Sequence, residues 1–211
     1  MPKQWFMEYN VPPHFVRTAA SLALPLLMNS QTLPAQTSQP QAPTAAQSEL
    51  VVVVRHAEKG TDDPVDPTLS AAGVKRAEAL AVALANADVD AIVTTQFKRA
   101  LATAAPLATK LAIKPTVLAV KRGETAAHIA EVVAAVHAAR AAGKGTILVI
   151  GHSNTVPLIV KALSGIAVPN ICESQHANLY LLALGVSDKL PSRLVQSSYG
   201  DADPPVATDC K

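Results

Sequence analysis

The chain has 211 residues, of which 49% are hydrophobic, enough for one domain with a buried core. Aromatic residues make up only 3%, so aliphatic side chains must fill most of that core. The formal net charge is +2 and no run is rich in Lys and Arg, which argues against a nucleic-acid-binding surface. Any preference for an anion must therefore come from a local cluster of charges.

The N-terminal segment has the pattern of an export signal. Lys3 and Arg17 precede an apolar stretch over residues 19–28, AASLALPLLM, which has about half the length that a helix needs to span a bilayer. Small residues that suit cleavage follow it. We expect a signal peptide over residues 1–35, with no stable membrane span, and export to the periplasm or the medium. The alternative is a disordered or membrane-tethering tail.

A polar, Pro-containing segment separates this signal from the folded domain. Residues 36–48, QTSQPQAPTAAQS, are low in complexity and predict a flexible linker. The domain then occupies residues 49–211. Its two cysteines, Cys172 and Cys210, are too far apart for a CxxC motif, so they form a disulfide of an exported protein or are two unrelated thiols.

The sequence predicts six strands and four helices along the domain, and the first four strands are each followed by a helix. Continuous apolar runs predict buried strands, and apolar residues at helical spacing predict helices. In chain order we expect a strand at 50–54, a helix from Ser70 to 86, a strand at 90–95, a helix at 97–111 that Pro106 kinks or splits, a strand at 115–120, a helix at 124–142, a strand at 146–150, a helix at 154–163, and strands at 177–184 and 194–198. This alternation favours an α/β fold, a mostly parallel sheet covered on both faces.

Polar residues follow the predicted strands where those strands end. Arg55 and His56 come directly after the first strand, and Gly151-His152-Ser153 comes at the end of the fourth. Arg99 lies just past the second strand. Ligands of such sheets bind outside the carboxyl ends of the strands, so we expect these side chains on one rim.

Two histidines and two arginines on one rim predict a cationic pocket. Arginine offers a planar set of donors that matches phosphoryl oxygens. Ser153 and Asn154 are expected to begin a helix whose free N–H groups add to the anion site. Adjacent arginines keep a histidine neutral, and a neutral imidazole can attack phosphorus. The second histidine can donate to an oxygen as charge shifts in the transition state. The pattern therefore predicts phosphoryl transfer through a phosphohistidine.

Other site types fit the sequence less well. His56-Ala57-Glu58 lacks the spacing of the HExxH zinc motif. The chain contains neither a GxSxG elbow nor a GxxxxGK phosphate loop. We therefore expect no metal and no cofactor.

Four motifs in this order resemble the histidine phosphatase superfamily, the phosphoglycerate mutase-like group, in its larger branch. They are Arg55 to Glu58 (RHAE), Leu69 to Gly73 (LSAAG), Arg99 to Ala104 (RALATA) and Gly151 to Ser153 (GHS). The resemblance implies a three-layer α/β/α sandwich with a mostly parallel central sheet and a metal-independent mechanism. It makes His56 the nucleophile, and it implies the catalytic set Arg55, His56, Arg99 and His152. Glu58 and Ser153 are weaker candidates for substrate binding.

The departures from the mutases of this family favour hydrolysis. Ala57 stands where those mutases have glycine, and between Thr103 and Val120 there is no room for a large cap. An open rim admits water to the phosphoenzyme. We expect a phosphatase for a phosphomonoester or a phosphohistidine, acting on a small phosphorylated substrate or a phosphoprotein. The alternatives are a phosphomutase and a phospho-ligand binding module without turnover.

The general acid that would protonate a leaving group is not assigned by the motifs. Glu58 lies two residues after the nucleophile and is one candidate, but it can instead orient the loop through Lys59. Weaker candidates are Asp62, Asp63 and Glu173. Of the other histidines, His128 and His137 are expected on a solvated helix face. His176 precedes a strand and is expected to be a polar loop residue, with an approach to the rim as the alternative.

Overall fold

The computed structural model describes residues 49–185 and 190–205. The expected signal peptide over 1–35, the expected linker over 36–48 and Cys210 lie outside the described residues. None of the helices in the described part combines the length and the hydropathy that a membrane span requires.

Within the described residues, six strands and four helices follow one another in the predicted order. They are β1 (Leu50–Arg55), α1 (Ala71–Ala83), β2 (Val89–Thr95), α2 (Lys98–Leu111), β3 (Thr116–Leu118), α3 (Thr125–Ala141), β4 (Thr146–Gly151), α4 (Val156–Ser164), β5 (Asn178–Ala183) and β6 (Arg193–Ser198). Ser70 caps α1, because its hydroxyl accepts the N–H of Gly73 at 3.1 Å. Pro106 lies inside α2 without splitting it.

The start of α4 differs from the prediction. Ser153 and Asn154 precede the helix, which begins at Val156 with Thr155 as its N-cap. The carbonyl of His152 accepts the N–H groups of Thr155 and Val156 at 3.0 and 2.9 Å, and the Thr155 hydroxyl accepts the N–H of His152 at 2.9 Å. A hydrogen-bonded turn therefore occupies the positions where the first residues of the helix were expected.

The sheet has the strand order β3-β2-β4-β1-β5-β6. Its four strands β1 to β4 pair in parallel, β5 pairs with β1 antiparallel, and β6 pairs with β5 antiparallel. The carboxyl ends of β1 and β4 therefore lie side by side at the middle of the sheet, where the polar residues of both motifs begin.

Helices cover both faces of the sheet. Val52 and Val54 of β1 pack with residues of α1 and α2 in one apolar cluster. Val51 and Val53 point the other way and pack with residues of α3 and α4. All four valines are fully buried, which explains the continuous apolar run of this strand. The α/β/α sandwich with a mostly parallel sheet is confirmed.

Candidate active site

Strand pairing brings the two histidine motifs together. Arg55 at the end of β1 stands opposite Gly151 at the end of β4. The N–H of His56 then donates to the carbonyl of Gly151 at 2.9 Å, and the rings of His56 and His152 lie 5.1 Å apart, edge to face. Gly151 has no room for a side chain, because a Cβ there would lie 2.9 Å from the Thr155 hydroxyl.

A pocket of about 220 Å³ opens above these strand ends. The residues that line it are Arg55, His56, Lys59, Phe97, Arg99, Val120, His152, Ser153, Asn154 and Glu173. The structure therefore brings together five of the six residues singled out from the sequence. The sixth, Glu58, is not among the lining residues.

The ring of His56 presents a lone pair to the pocket. Its Nδ1 lies 2.7 Å from the carbonyl of Ala57, which can only accept, so Nδ1 carries the proton and Nε2 does not. Arg99 Nε donates to that Nε2 at 3.2 Å. Burial above all, and then the positive charges of His152, Arg55 and Arg99, lower the pKa of His56 to about 2. His56 is thus a neutral imidazole with an available Nε2.

Arg55 is fixed by the loop that precedes β5. Its Nη1 donates to the carbonyls of Cys172, Glu173 and Gln175 at 2.8, 3.0 and 2.9 Å, and its Nη2 donates to the Glu173 carboxylate at 3.0 Å. The side chain is 1% exposed. Burial lowers the pKa of Arg55, and Glu173 opposes that effect. Arg55 therefore joins the end of β1 to residues more than 115 positions away.

Arg99 enters the pocket from the first turn of α2. Its guanidinium lies 4.3 Å from the centre of the Phe97 ring. Its Nη1 is buried without a hydrogen bond, with Asp66 Oδ1 3.7 Å away. Thr103 supports this arrangement, since its hydroxyl donates to the Arg99 carbonyl at 2.7 Å and accepts the Ala57 N–H at 2.9 Å. The buried Nη1 can still donate to an oxyanion.

His152 is held by a threonine that sequence reasoning did not single out. Thr95, at the end of β2, places its hydroxyl 3.0 Å from His152 Nε2. Burial, followed by the charges of Arg99 and His128, lowers the pKa of His152 to about 4. His128 is itself buried, so the expectation of a solvated face for it was wrong. The apolar patterning of α3 could not show that this helix turns His128 toward the site.

His176 is a second residue whose place the sequence left open. It is buried next to His56, and its Nδ1 donates to the carbonyl of His56 at 2.9 Å. The expectation of a merely polar loop residue was wrong: His176 lies in the loop before β5, and this loop is brought to His56 because β5 pairs with β1. The N–H of His176 donates to Asp203 at 2.8 Å.

Glu58 faces away from the pocket. Its Oε1 accepts from Nε of Arg76 at 2.8 Å and lies 2.8 Å from Nη2. Arg76 is buried and also donates to the carbonyl of Tyr199 at 2.9 Å. The ion pair and hydrogen bonds with Arg76 outweigh burial and lower the pKa of Glu58. Glu58 therefore ties the loop after His56 to α1 and does not line the pocket, and the loop contact predicted through Lys59 is made by Arg76 instead.

Comparisons with known proteins show which family and which folds this chain is similar to. Residues 51–120 match the family model of the histidine phosphatase superfamily (branch 1). The family resemblance predicted from the motifs is confirmed. No curated protein matches the chain.

Two of the solved structures that match have the fold of the described domain. The protein histidine phosphatase SixA complexed with tungstate is 19% identical, with a TM-score of 0.56 over 71% of this chain and 96% of that one. A mycobacterial glucosyl-3-phosphoglycerate phosphatase is 15% identical, with a TM-score of 0.54 over 69% of this chain and 96% of that one. At these identities the likeness concerns the fold.

Two further features of the described domain concern metals and cysteines. In the described part of the chain, no group of three or more His, Cys, Asp or Glu side chains is placed to hold a metal ion. Cys172, beside the carbonyls that bind Arg55, is disulfide-bonded. The other cysteine of the sequence, Cys210, lies outside the described residues.

Proposed function

We propose that this chain is a phosphatase that hydrolyses a phosphomonoester or a phosphohistidine without a metal ion, through a phosphohistidine on His56. The observation that carries the proposal is the lone pair of His56 Nε2 in a pocket lined by Arg55 and Arg99. Two related structures support an oxyanion site, since one holds tungstate and the mycobacterial phosphatase has been seen with inorganic phosphate.

In the first step, His56 Nε2 attacks phosphorus while the bond from phosphorus to the leaving group breaks. Arg99 must release Nε2 and turn its donors to the phosphoryl oxygens. The carbonyl of Ala57 keeps the proton on Nδ1, so the phosphorylated ring carries a positive charge and is a good leaving group. Water then attacks phosphorus, the N–P bond breaks, and phosphate leaves with His56 neutral again.

In the first step, the leaving group must either take a proton from solvent or be stable enough to leave without one. Glu58 is bound to Arg76, and Glu173 is the carboxylate among the described lining residues. We therefore expect faster turnover of aryl phosphates, acyl phosphates and phosphohistidines than of simple alkyl phosphates, because the former leaving groups need less help from an acid.

A phospho-ligand binding module is the second candidate. The contact between Arg99 Nε and His56 Nε2 favours it, because this hydrogen bond covers the nucleophile in the free protein. Turnover separates the two candidates. A phosphomutase would be recognised by transfer of the phosphoryl group between two positions of a bisphosphate.

We also propose that the protein is exported, with residues 1–35 as its signal peptide. The basic and apolar pattern of that segment supports this. The disulfide at Cys172 supports it as well, since disulfides persist in oxidising compartments. N-terminal sequencing of the protein recovered from a periplasmic or secreted fraction tests it, and a Met1 start in the cytosol would contradict it.

The test of the activity is hydrolysis of an aryl phosphate by the full chain in excess EDTA. We expect turnover that EDTA does not change, and a loss on the order of 10³-fold or more in His56→Ala. His137→Ala, at an exposed position of α3, is the matched control and should retain activity. Turnover abolished by EDTA, or retained in His56→Ala, would contradict the mechanism; stoichiometric phosphate binding without turnover would establish the binding module.

A further inference from the structure

The carboxylate of Glu173 lies where an oxyanion would bind. Its Oε2 accepts from Arg55 Nη2 at 3.0 Å and lies 3.8 Å from Lys59 Nζ. Its Oε1 accepts from the hydroxyl of Ser153 at 2.9 Å. These donors line the pocket, and a phosphoryl group has the same need for charge-assisted hydrogen bonds. Carboxylate and phosphoryl group therefore compete for the same partners.

The Glu173 side chain can leave this position without moving its loop. The backbone of the loop is held by Arg55 Nη1 through the three carbonyls described above, and those bonds do not involve the carboxylate. The side chain is 71% exposed, whereas that of Arg55 is 1% exposed. Rotation of Glu173 into solvent breaks only its own contacts and leaves Arg55 in place for the phosphoryl group.

The charge of Glu173 also acts beyond its direct contacts. It opposes in part the lowering of the pKa of Arg99 and of His152, which burial dominates. Burial, which would raise the pKa of Glu173, is outweighed by the Ser153 hydrogen bond and the charge of Arg55, so this pKa lies below its usual value. An ionised carboxylate with a lowered pKa is a poor proton donor.

We propose that Glu173 is a displaceable internal anion, which holds the phosphoryl-binding donors in the free protein and swings out when phosphate enters. The inference rests on the proposed function, because it takes the pocket as the phosphoryl site. Glu173 weakens the binding of substrate, transition state and product alike. Its removal should therefore lower the KM and the Kd for phosphate together without raising kcat, and should lower kcat where phosphate release is rate-limiting.

The experiment is calorimetric titration of the full chain with orthophosphate, which needs no turnover. We expect Glu173→Gln to bind orthophosphate about three- to tenfold more tightly than the native chain, a modest effect because the carboxylate is largely exposed. Glu173→Ala, which removes the side chain altogether, should shift the Kd in the same direction. Glu78→Gln, at an exposed position of α1, removes the same charge elsewhere and should leave the Kd unchanged.

Three results would overturn the inference, each in a different way. If Glu173→Gln binds phosphate no more tightly than Glu78→Gln, while the native chain binds it, then Glu173 is not displaced and the proposed function stands. If kcat falls selectively for alkyl phosphates with an unchanged Kd, Glu173 transfers a proton instead. If no variant binds orthophosphate, the pocket is not a phosphoryl site, and the proposed function fails with the inference.

Discussion

Gly73 of α1 lies against the loop that follows His56. A Cβ at this position would lie 2.1 Å from the carbonyl oxygen of Glu58, against about 3.3 Å for a normal C···O contact. The same oxygen accepts the N–H of Ser70 at 2.9 Å, so the loop is bound to the helix at this point. Alanine at position 73 must therefore push the loop, and with it His56, by about an ångström.

The Gly73→Ala substitution should strongly lower kcat/KM while the protein remains folded. Overpacking costs typically about 1–3 kcal/mol, and replacing glycine by alanine inside a helix recovers up to about 1 kcal/mol of that. A net loss of about 0–3 kcal/mol in the free energy of unfolding remains. A displacement of about 1 Å at a reacting group costs on the order of 10²-fold in rate. The expected result is a folded protein with a strongly reduced kcat/KM.

Urea unfolding and aryl phosphate kinetics measure the two quantities on the same preparation. Gly145→Ala is the matched control, because the nearest atom to a Cβ there is Asp90 Oδ2 at 3.5 Å, an ordinary contact. Gly145 precedes β4 at the end of the sheet away from the pocket. If Gly73→Ala keeps a kcat/KM within about twofold of that of Gly145→Ala, then the close approach of α1 does not position the nucleophile, and the reasoning is refuted.

Two other properties follow from the buried polar groups. Thr103→Val leaves the Ala57 N–H without its acceptor. The substitution should lower the free energy of unfolding by about 1–3 kcal/mol and should also lower kcat/KM. An unchanged urea midpoint would contradict this. The folded pKa values of His56 and His152, about 2 and about 4, lie below the ordinary 6.5. The unfolded chain therefore takes up protons first as the pH falls below 6.5, and stability should decline by up to about 1.4 kcal/mol per pH unit for each histidine. Urea midpoints at pH 7, 6 and 5 measure this decline, and a flat profile would show that these histidines become charged in the folded protein.

Local patterns in the sequence were sufficient for the elements and for the core of the site. The run Val51–Val54 predicts a strand buried on both faces, and a chain of alternating strands and helices predicts a parallel sheet. Arg55, His56 and His152 then follow from the rule that ligands bind at the carboxyl ends of such strands. Each of these inferences uses neighbours along the chain or a property of all parallel sheets, so no tertiary contact had to be known.

Tertiary structure decided which side chains surround His56. Glu173 and His176 reach the site because β5 pairs with β1 antiparallel, a partnership between segments more than 100 residues apart that no local pattern encodes. Glu58 was expected near the substrate from its position beside His56, but the buried guanidinium of Arg76 on α1 binds it. A partly buried carboxylate pairs with a buried cation nearby, since leaving either charge unpaired in the interior is costly, and only the packed structure shows where that cation lies.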